Sequence, residues 1–522
     1  MNHETVDLSL LALPRGALLK VANHYRLRGS RDNRMMGSTA SLTAPTVTPR
    51  ILFTAVICIV AAYSQILLAD NATASPDANA TQRPNVLVIF VDDFGPGDVS
   101  CYGGKQIQTP AIDRLASEGM RFSQFYVASP ICSASRCGLL TGQFPGRWRI
   151  TSYLQSKAGN QECEQADFLD PAAPSMVRAF HDAGYATAHV GKWHLGGGRD
   201  VTDAPKFAAY GYDVGFGTYE SPEPAAALGL KSVPWDTNIE PQQVPRHDRT
   251  RWMVDETLSF VKQHPEQPWF VNLWLDDTHT PFRPSDDQKT DDTGGPGTIE
   301  YRAVLKETDH QVGRLLNRLK ELNADQNTIV ILAGDNGPQP SFDGARTNGL
   351  RGMKWSLYEG GIQTPLIVRW PDHVPPAAVN SSTVLTAVDI FPTLCAMTGI
   401  APPAGVEFDG EDLSAAFKRP AAINVPEPKR SRMIFWEYGR KPPVEGQKGL
   451  RTFPYPSEPN SKSPNVAVRD GDWKLLVNAD GSSMELYDLS RDPRESKNVA
   501  DEHADVALRL KEAALMWRQS LP

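Results

Sequence analysis

Three short, almost continuously apolar runs constrain this chain more than any other feature: Asn85–Val91 (NVLVIFV), Trp269–Leu275 (WFVNLWL) and Thr328–Ala333 (TIVILA). Runs of this length, rich in branched residues and without polar alternation, are the pattern of central strands covered on both faces in a parallel sheet. Each stops abruptly at residues that carry chemistry. The first ends in Asp92-Asp93, the second in Asp276-Asp277-Thr278-His279-Thr280-Pro281 and the third in Gly334-Asp335-Asn336-Gly337. Open α/β sheets bind ligands beyond the carboxyl ends of their strands, so these residues are placed for a site.

A single Asp after a strand is more often a turn or a helix cap. Two central strands that both end in adjacent oxygen ligands are harder to explain that way. Asp92, Asp93 and Asp335 with the Asn336 amide form a hard, all-oxygen set that suits calcium or magnesium and not zinc. Calcium is expected first, because its looser geometry tolerates a mixed site.

Three further segments hold the remaining candidates. Cys132-Ser133-Ala134-Ser135-Arg136 is followed by Leu140-Thr141-Gly142; Gly191-Lys192-Trp193-His194-Leu195-Gly196 follows a short strand near Thr187–Val190; and Leu350-Arg351-Gly352-Met353-Lys354 runs on to Glu359-Gly360-Gly361. Alone, Cys132 reads as a buried thiol, and a lone histidine reads as a packed or surface residue. A Lys-x-His spacing, however, puts Lys192 and His194 on one side of an extended segment.

Taken in order, RPNVLVIFVDD, CSASR with LTG, GKWHLG, DDTHTP, GDNG and RGMK with EGG span Arg83 to about Trp370, and AVRDGDWKLL and ELYDLSRDPRESKN follow at Ala467–Leu476 and Glu485–Asn498. The whole resembles the type I sulfatases of the alkaline phosphatase superfamily, and looks most like arylsulfatases and N-acetylgalactosamine-6-sulfatase. The resemblance implies that a maturing enzyme oxidises Cys132 to formylglycine. Its hydrate then attacks sulfur with Asp335 as a nearby base, giving a sulfated enzyme. Arg136, Lys192 and Lys354 would bind the sulfate, and Asp92, Asp93, Asp335, Asn336 and residue 132 would hold one Ca2+. His279 with Lys354 would protonate the leaving alcohol, and His194 would take the proton that lets sulfate depart. Two positions depart from the family pattern: Ala134 stands where Pro is commonest, which bears on the extent of conversion, and Met353 stands where Gly is usual. The expected substrate is a sulfated polysaccharide or glycosaminoglycan sugar, or an aryl sulfate. Two rivals are a phosphonate monoester hydrolase or phosphodiesterase of the same superfamily, and a catalytically silent sulfated-glycan binding protein.

The implied fold is α/β, alkaline phosphatase-like, with a large, mostly parallel sheet sandwiched by helices over residues 83–400. A smaller C-terminal α+β subdomain with an antiparallel sheet is expected over 401–522. Helices are expected at Ser175–Ala183, Ala111–Glu118, Met253–Lys262, Tyr301–Leu322, Thr386–Met397 and Asp501–Gln519, the Tyr301–Leu322 helix on the 3.6-residue spacing of Val304, Val312, Leu315, Leu316 and Leu319. Trp473–Val477 and Met484–Leu489 are expected to pair. The segment Arg199–Arg251, with Tyr210, Tyr212, Tyr219, Trp235, Arg246, His247 and Arg249, reads equally as the wall of a carbohydrate cleft or as a packed surface loop, and Ser221 is a weak match to a sulfate-contacting serine.

Net charge decides one exclusion. With 53 Lys plus Arg against 61 Asp plus Glu, a balance of -8, nucleic acid is not an expected partner. The six cysteines include no CxxC pair, and Cys101, Cys137, Cys163 and Cys395 leave room for zero to two bridges. Residues 1–82 read as an N-terminal extension, a leader and a disordered spacer. Within them, Ile51–Ala62 (ILFTAVICIVAA) after Arg50 fits an export signal. Cleavage would fall at Ala62-Tyr63-Ser64 or Ala72-Thr73-Ala74, and a start at Met35 or Met36 would give an n-region of ordinary length. The expected location is periplasmic or extracellular, with a membrane anchor as the alternative if the leader, apolar as far as Leu68, stays uncleaved.

Overall fold

Strand β1 (Asn85–Val91) is the centre of the molecule. Its side chains alternate between two cores, Val86, Val88 and Phe90 entering one and Leu87, Ile89 and Val91 the other. The absence of polar alternation thus has a direct cause: both faces are covered. The computed structural model describes residues 83–225, 227, 244–290, 292, 294–418, 428–440 and 455–522. The leader, its cleavage sites and Trp235 lie outside the described residues.

The strands that follow are β2 (Met120–Phe122), β3 (Phe125–Tyr126), β4 (Ala186–Lys192), β5 (Val214–Thr218), β6 (Trp269–Leu275), β7 (Thr328–Gly334), β8 (Leu366–Arg369), β9 (Ala378–Asn380) and β10 (Leu385–Thr386). The main sheet has eight strands in the order β5-β4-β6-β1-β7-β8-β2-β9. From β5 to β7 every pairing is parallel, while β8 runs antiparallel to both β7 and β2. β1 lies between β6 and β7, with Val91 beside Leu275 and Gly334, so three strand ends stop level with one another.

The expected helices form at Pro110–Ser117, Met176–Asp182, Arg249–Gln263, Ile299–Glu321 and Ala504–Ser520. On the Ile299–Glu321 helix Val312, Leu315 and Leu319 are buried, as their spacing demands, and Thr298 caps the first turn through the Tyr301 amide. One expectation is corrected. The helix placed at Thr386–Met397 begins only at Ile390: Leu385–Thr386 pairs in parallel with Phe125–Tyr126, and the Thr386 amide donates to Asp389 Oδ2 at 2.8 Å, which holds a short turn before the helix starts.

Strands β11 (Ile434–Glu437), β12 (Val466–Asp470), β13 (Trp473–Val477) and β14 (Glu485–Asp488) make a separate antiparallel sheet in sequential order. The Ala504–Ser520 helix buries Ala507, Leu510 and Ala514 against β12 and β13 residues such as Val468 and Leu475. Both sheets belong to one compact unit. Among the described residues no disulfide joins the cysteines, and no helix is long and apolar enough to cross a membrane.

Candidate active site

The chain places its chemistry at the carboxyl edge of the main sheet. Asp92 and Asp93 follow β1, Lys192 is the last residue of β4, Asp276 to His279 follow β6, and Asp335 and Asn336 follow β7. Cys132 is the first residue of a wholly buried helix, Cys132–Thr141. Arg136, one turn further on, therefore shares its face. Two of the site's residues adopt left-handed backbone, Asp93 at φ 51° and His194 at φ 55°. Such conformations in non-glycine residues persist where the surroundings fix them.

These side chains converge. Arg136 Nη2 lies 2.6 Å from Asp335 Oδ2 and 3.6 Å from Asp92 Oδ1, and its Nη1 donates to the Lys192 carbonyl at 3.0 Å. Lys192 Nζ is 2.6 Å from Asp92 Oδ2, and Lys354 Nζ is 2.6 Å from Asp93 Oδ1. The Asn336 amide donates to Asp93 Oδ1 at 2.7 Å, while the Asp93 N–H donates to Asp335 Oδ1 at 3.0 Å. One ligand atom each from Asp92, Cys132 and Asp335 lie within 4.8 Å of one another. His279 Nε2 is 3.9 Å from Asp93 Oδ2, and its Nδ1 is 2.6 Å from the Thr280 carbonyl. His194 Nε2 is 3.3 Å from a Glu220 carboxylate oxygen and 3.2 Å from the Leu154 carbonyl.

The donor set can be tested for a metal on its own terms. Asp92 Oδ1, Asp93 Oδ2 and Asn336 Oδ1 are buried and accept no hydrogen bond. A buried acceptor left unmet costs about 1–3 kcal/mol. A hard cation taking oxygen ligands satisfies all three at once, so the residues present fit calcium or magnesium.

Electrostatics sort the titratable groups. Burial works to raise the Asp92 carboxyl, but Lys192, His279, Arg136 and Lys354 together hold it well below the usual carboxylate range. Burial, reinforced by the Asp92 charge, pushes Asp335 up to about 7 against Arg136 and Lys192. Burial and then Lys354 bring His279 down to about 4, and burial and then Lys192 hold His194 well below its ordinary value. Both imidazoles are therefore neutral near pH 7. Burial raises the Cys132 thiol against Lys192 and Lys354, and a thiol that stays protonated is a poor nucleophile.

All ten positions singled out from the sequence thus lie in or against one pocket. The outlying candidates divide. Tyr210 and Tyr212 are packed, not part of a cleft wall: the Tyr210 hydroxyl donates to the Leu169 carbonyl, and the Tyr212 hydroxyl accepts from the Asn272 amide at 2.6 Å. Arg246 and Arg249 serve Asp276, with Arg246 Nη2 on its carbonyl at 2.9 Å and Arg249 Nη1 3.1 Å from Oδ2. Ser221 Oγ accepts the Glu223 amide within a turn. Sequence reasoning missed Glu220, Thr278, whose hydroxyl donates to the Asp92 carbonyl, and Arg346, which donates to the Asp93 carbonyl and pairs with Asp98. None of the three stands in a pattern that marks it, although Thr278 lies inside the DDTHTP segment.

A mostly parallel sheet that brings carboxylates, lysines and a helix-borne cysteine together at one edge is suited to an enzyme acting on an anionic ester. The sulfatase family model matches residues 84–400, and the model of the N-sulphoglucosamine sulphohydrolase C-terminal region matches 353–519. The chain belongs to the sulfatase family and is a sulfuric ester hydrolase. It is 30% identical to an N-acetylgalactosamine-6-O-sulfatase of Bacteroides thetaiotaomicron over 83% of this chain and 92% of the relative. It is 28% identical to human arylsulfatase A over 84% and 88% of the two chains. A solved sulfatase structure from work on the metabolism of multiple glycosaminoglycans by Bacteroides thetaiotaomicron superposes with a TM-score of 0.66 at 25% identity, covering 84% of this chain and all of that one. The fold is alkaline phosphatase-like, as the sequence implied.

Proposed function

We propose that this sulfatase is an exported, formylglycine-dependent enzyme that removes sulfate from a sulfated polysaccharide or glycosaminoglycan sugar. Maturation by a formylglycine-generating enzyme and one bound calcium ion complete the reading. The observation that carries it is the setting of Cys132: first in a buried helix, with Arg136 on the same face, and beside Lys192, Lys354, Asp92 and Asp335. The names of the relatives, an N-acetylgalactosamine-6-O-sulfatase among them, support the sugar substrate. Export is supported by the apolar Ile51–Ala62 run after Arg50.

Asp92, Asp93, Asp335 and Asn336 would hold the ion, which when bound adds fixed positive charge and eases ionisation of a neighbouring hydroxyl. Residue 132, once formylglycine and hydrated, supplies two hydroxyls on one carbon: one attacks sulfur to give a sulfated enzyme, and the other expels sulfate and restores the aldehyde. Arg136, Lys192 and Lys354 take the sulfate oxygens. These cations only balance the carboxylates of Asp92, Asp93 and Asp335, so a divalent ion provides the surplus that an anionic ester needs. In a buried site such fixed charges act with little screening. Burial works against the Lys354 ammonium, but Asp93 keeps it charged, and it is the standing proton donor for the leaving alcohol. His279 is neutral at rest and is drawn toward its protonated form as the substrate's negative charge arrives. His194, also neutral, accepts the proton of the second hydroxyl.

Mass spectrometry of the tryptic peptide Phe122–Arg136, whose only cysteine is Cys132, tests the reading on protein produced with its maturing enzyme. An aldehyde or its hydrate is expected. An intact thiol, under conditions that convert a control sulfatase, would refute it and favour a silent glycan-binding protein. Faster cleavage of a phosphonate monoester than of nitrophenyl sulfate by converted protein would move the reaction to phosphorus.

A further inference from the structure

His194 is held by more than the β4 strand that precedes it. Its N–H donates to the Tyr219 carbonyl at 3.1 Å, and Tyr219 and Glu220 both take left-handed backbone, at φ 54° and 32°. That turn delivers the Glu220 carboxylate to the imidazole. Both side chains are almost wholly buried, with 2% and 1% of their surface exposed. His194 Nε2 faces the Leu154 carbonyl, which can only accept, and Glu220 Oε2, which accepts when the carboxyl is ionised. Nε2 therefore carries the proton, and Nδ1, buried without a hydrogen-bond partner, is the basic nitrogen. The other Glu220 oxygen, Oε1, accepts from Arg199 Nε at 2.5 Å.

We infer that Glu220 is a positioning residue for His194: it fixes the imidazole tautomer that leaves Nδ1 basic, and it stabilises the imidazolium formed when Nδ1 takes a proton. This rests on the reading of His194 given above. In the step concerned, Nδ1 takes the proton of the free hydroxyl on sulfated residue 132. That oxygen's electron pair forms the aldehyde C=O, the carbon–oxygen bond to sulfate breaks, and its pair leaves on sulfate. The charge left on the buried ring has Glu220 as the carboxylate facing Nε2, the part an aspartate plays behind the histidine of a serine hydrolase. Burial pushes the Glu220 carboxyl up to about 7 even against Arg199 and Lys192, so a charge arriving on the facing ring draws it to its ionised form.

The test uses the full, matured chain and nitrophenyl sulfate. E220Q keeps the shape and an acceptor for Arg199 but removes the charge. Its melting temperature should match the parent, while kcat falls roughly 10- to 100-fold, the range for carboxylate partners of metal-bound imidazoles, and KM falls with it, because slowing only the release step leaves kcat/KM unchanged. Quenched E220Q should also carry sulfate on the Phe122–Arg136 peptide, since sulfur transfer precedes the step that needs His194, and E220D should recover part of kcat. Parent-like turnover by E220Q, or slowed turnover without sulfated peptide, would overturn the assignment. Should E220Q melt early, R199M decides: it leaves Glu220 in place and should show the same slowing with sulfated peptide, and unchanged turnover counts against the inference. An inactive, fully converted parent would instead overturn the reading of His194 itself.

Discussion

Arg136 Nη2 and Asp335 Oδ2 stand 2.6 Å apart with neither side chain exposed, so an ion pair ties the second turn of the cysteine-bearing helix to the end of β7. The guanidinium also lies over the Trp274 ring, 5.0 Å from its centroid, which fixes its plane. Breaking such a pair from one side leaves a buried charge unmet. We predict that R136M loses about 3–5 kcal/mol of unfolding free energy in urea titrations. R136K should lose less but not nothing, since a lysine cannot reach Asp335 and the Lys192 carbonyl as a planar fork does. A parent-like unfolding midpoint for R136M would show that the pair does not hold the site together.

Replacing the nucleophile separates attack from release. C132S is predicted to fold and, at best, to release a burst of about one equivalent of nitrophenol before stopping, because a serine ester has no second hydroxyl to drive elimination. Stopped-flow absorbance reads the burst directly. Sustained turnover by this variant would rule out the two-hydroxyl route.

The orphan oxygens of Asp92, Asp93 and Asn336 would make the proposed ion a folding ligand as well as a cofactor. Dialysis against a chelator should lower the melting temperature, and calcium should restore it more fully than magnesium. An ion at 100 times its Kd stabilises the fold by about 2.7 kcal/mol. A melting curve indifferent to chelator and to both ions would mean that lysine contacts alone satisfy the site.

His189, on β4, gives a pH signature away from the proposed ligands. Burial pushes it down to about 3, and the ring is packed among Trp193, Phe207, Tyr212 and Trp274. An unfolded histidine binds its proton near pH 6.5, so between about 6.5 and 3 the unfolded chain holds one more proton than the native one. Its contribution is fully present above pH 6.5 and is lost as the pH falls through that window, at up to about 1.4 kcal/mol per pH unit. H189F should flatten the acid limb of the stability curve by that amount. An identical pH slope in parent and variant would contradict this.

The parts of the molecule legible in the sequence were those where one physical demand dominates. β1, β6 and β7 must be apolar on both faces, so their ends could be read to within a residue, and with them Asp92, Asp93, Asp335 and Asn336. Glu220 could not be read, because its partner lies beyond the end of a neighbouring strand and nothing in Tyr-Glu-Ser announces a buried carboxylate. For Tyr210 and Tyr212 the sequence left two readings open, because an aromatic in an irregular segment fits a cleft wall as well as a packed loop; the structure takes the second, with the rings in a core and their hydroxyls on the Leu169 carbonyl and Asn272. β11 and β12 were not read as strands, since four and five residues carry little periodicity; they pair with each other and extend the expected pair of β13 and β14 into a four-stranded sheet.

The loop that presents Lys354 is anchored outside the main sheet. Arg351 donates to the Tyr487 hydroxyl and the Glu495 carbonyl, Tyr358 donates to Glu485, and Lys474, wholly buried on β13, lies 2.8 Å from both Glu359 and Glu495. The small sheet therefore works as the jig that sets where Lys354 stands. Anyone building chimaeras would have to move residues 351–359 and the β13–β14 region as one cassette, because a foreign C-terminal segment would strand Glu359 and let the lysine drift. Natural variation in that region is free to reshape the site's rim only along paths that keep this cassette matched.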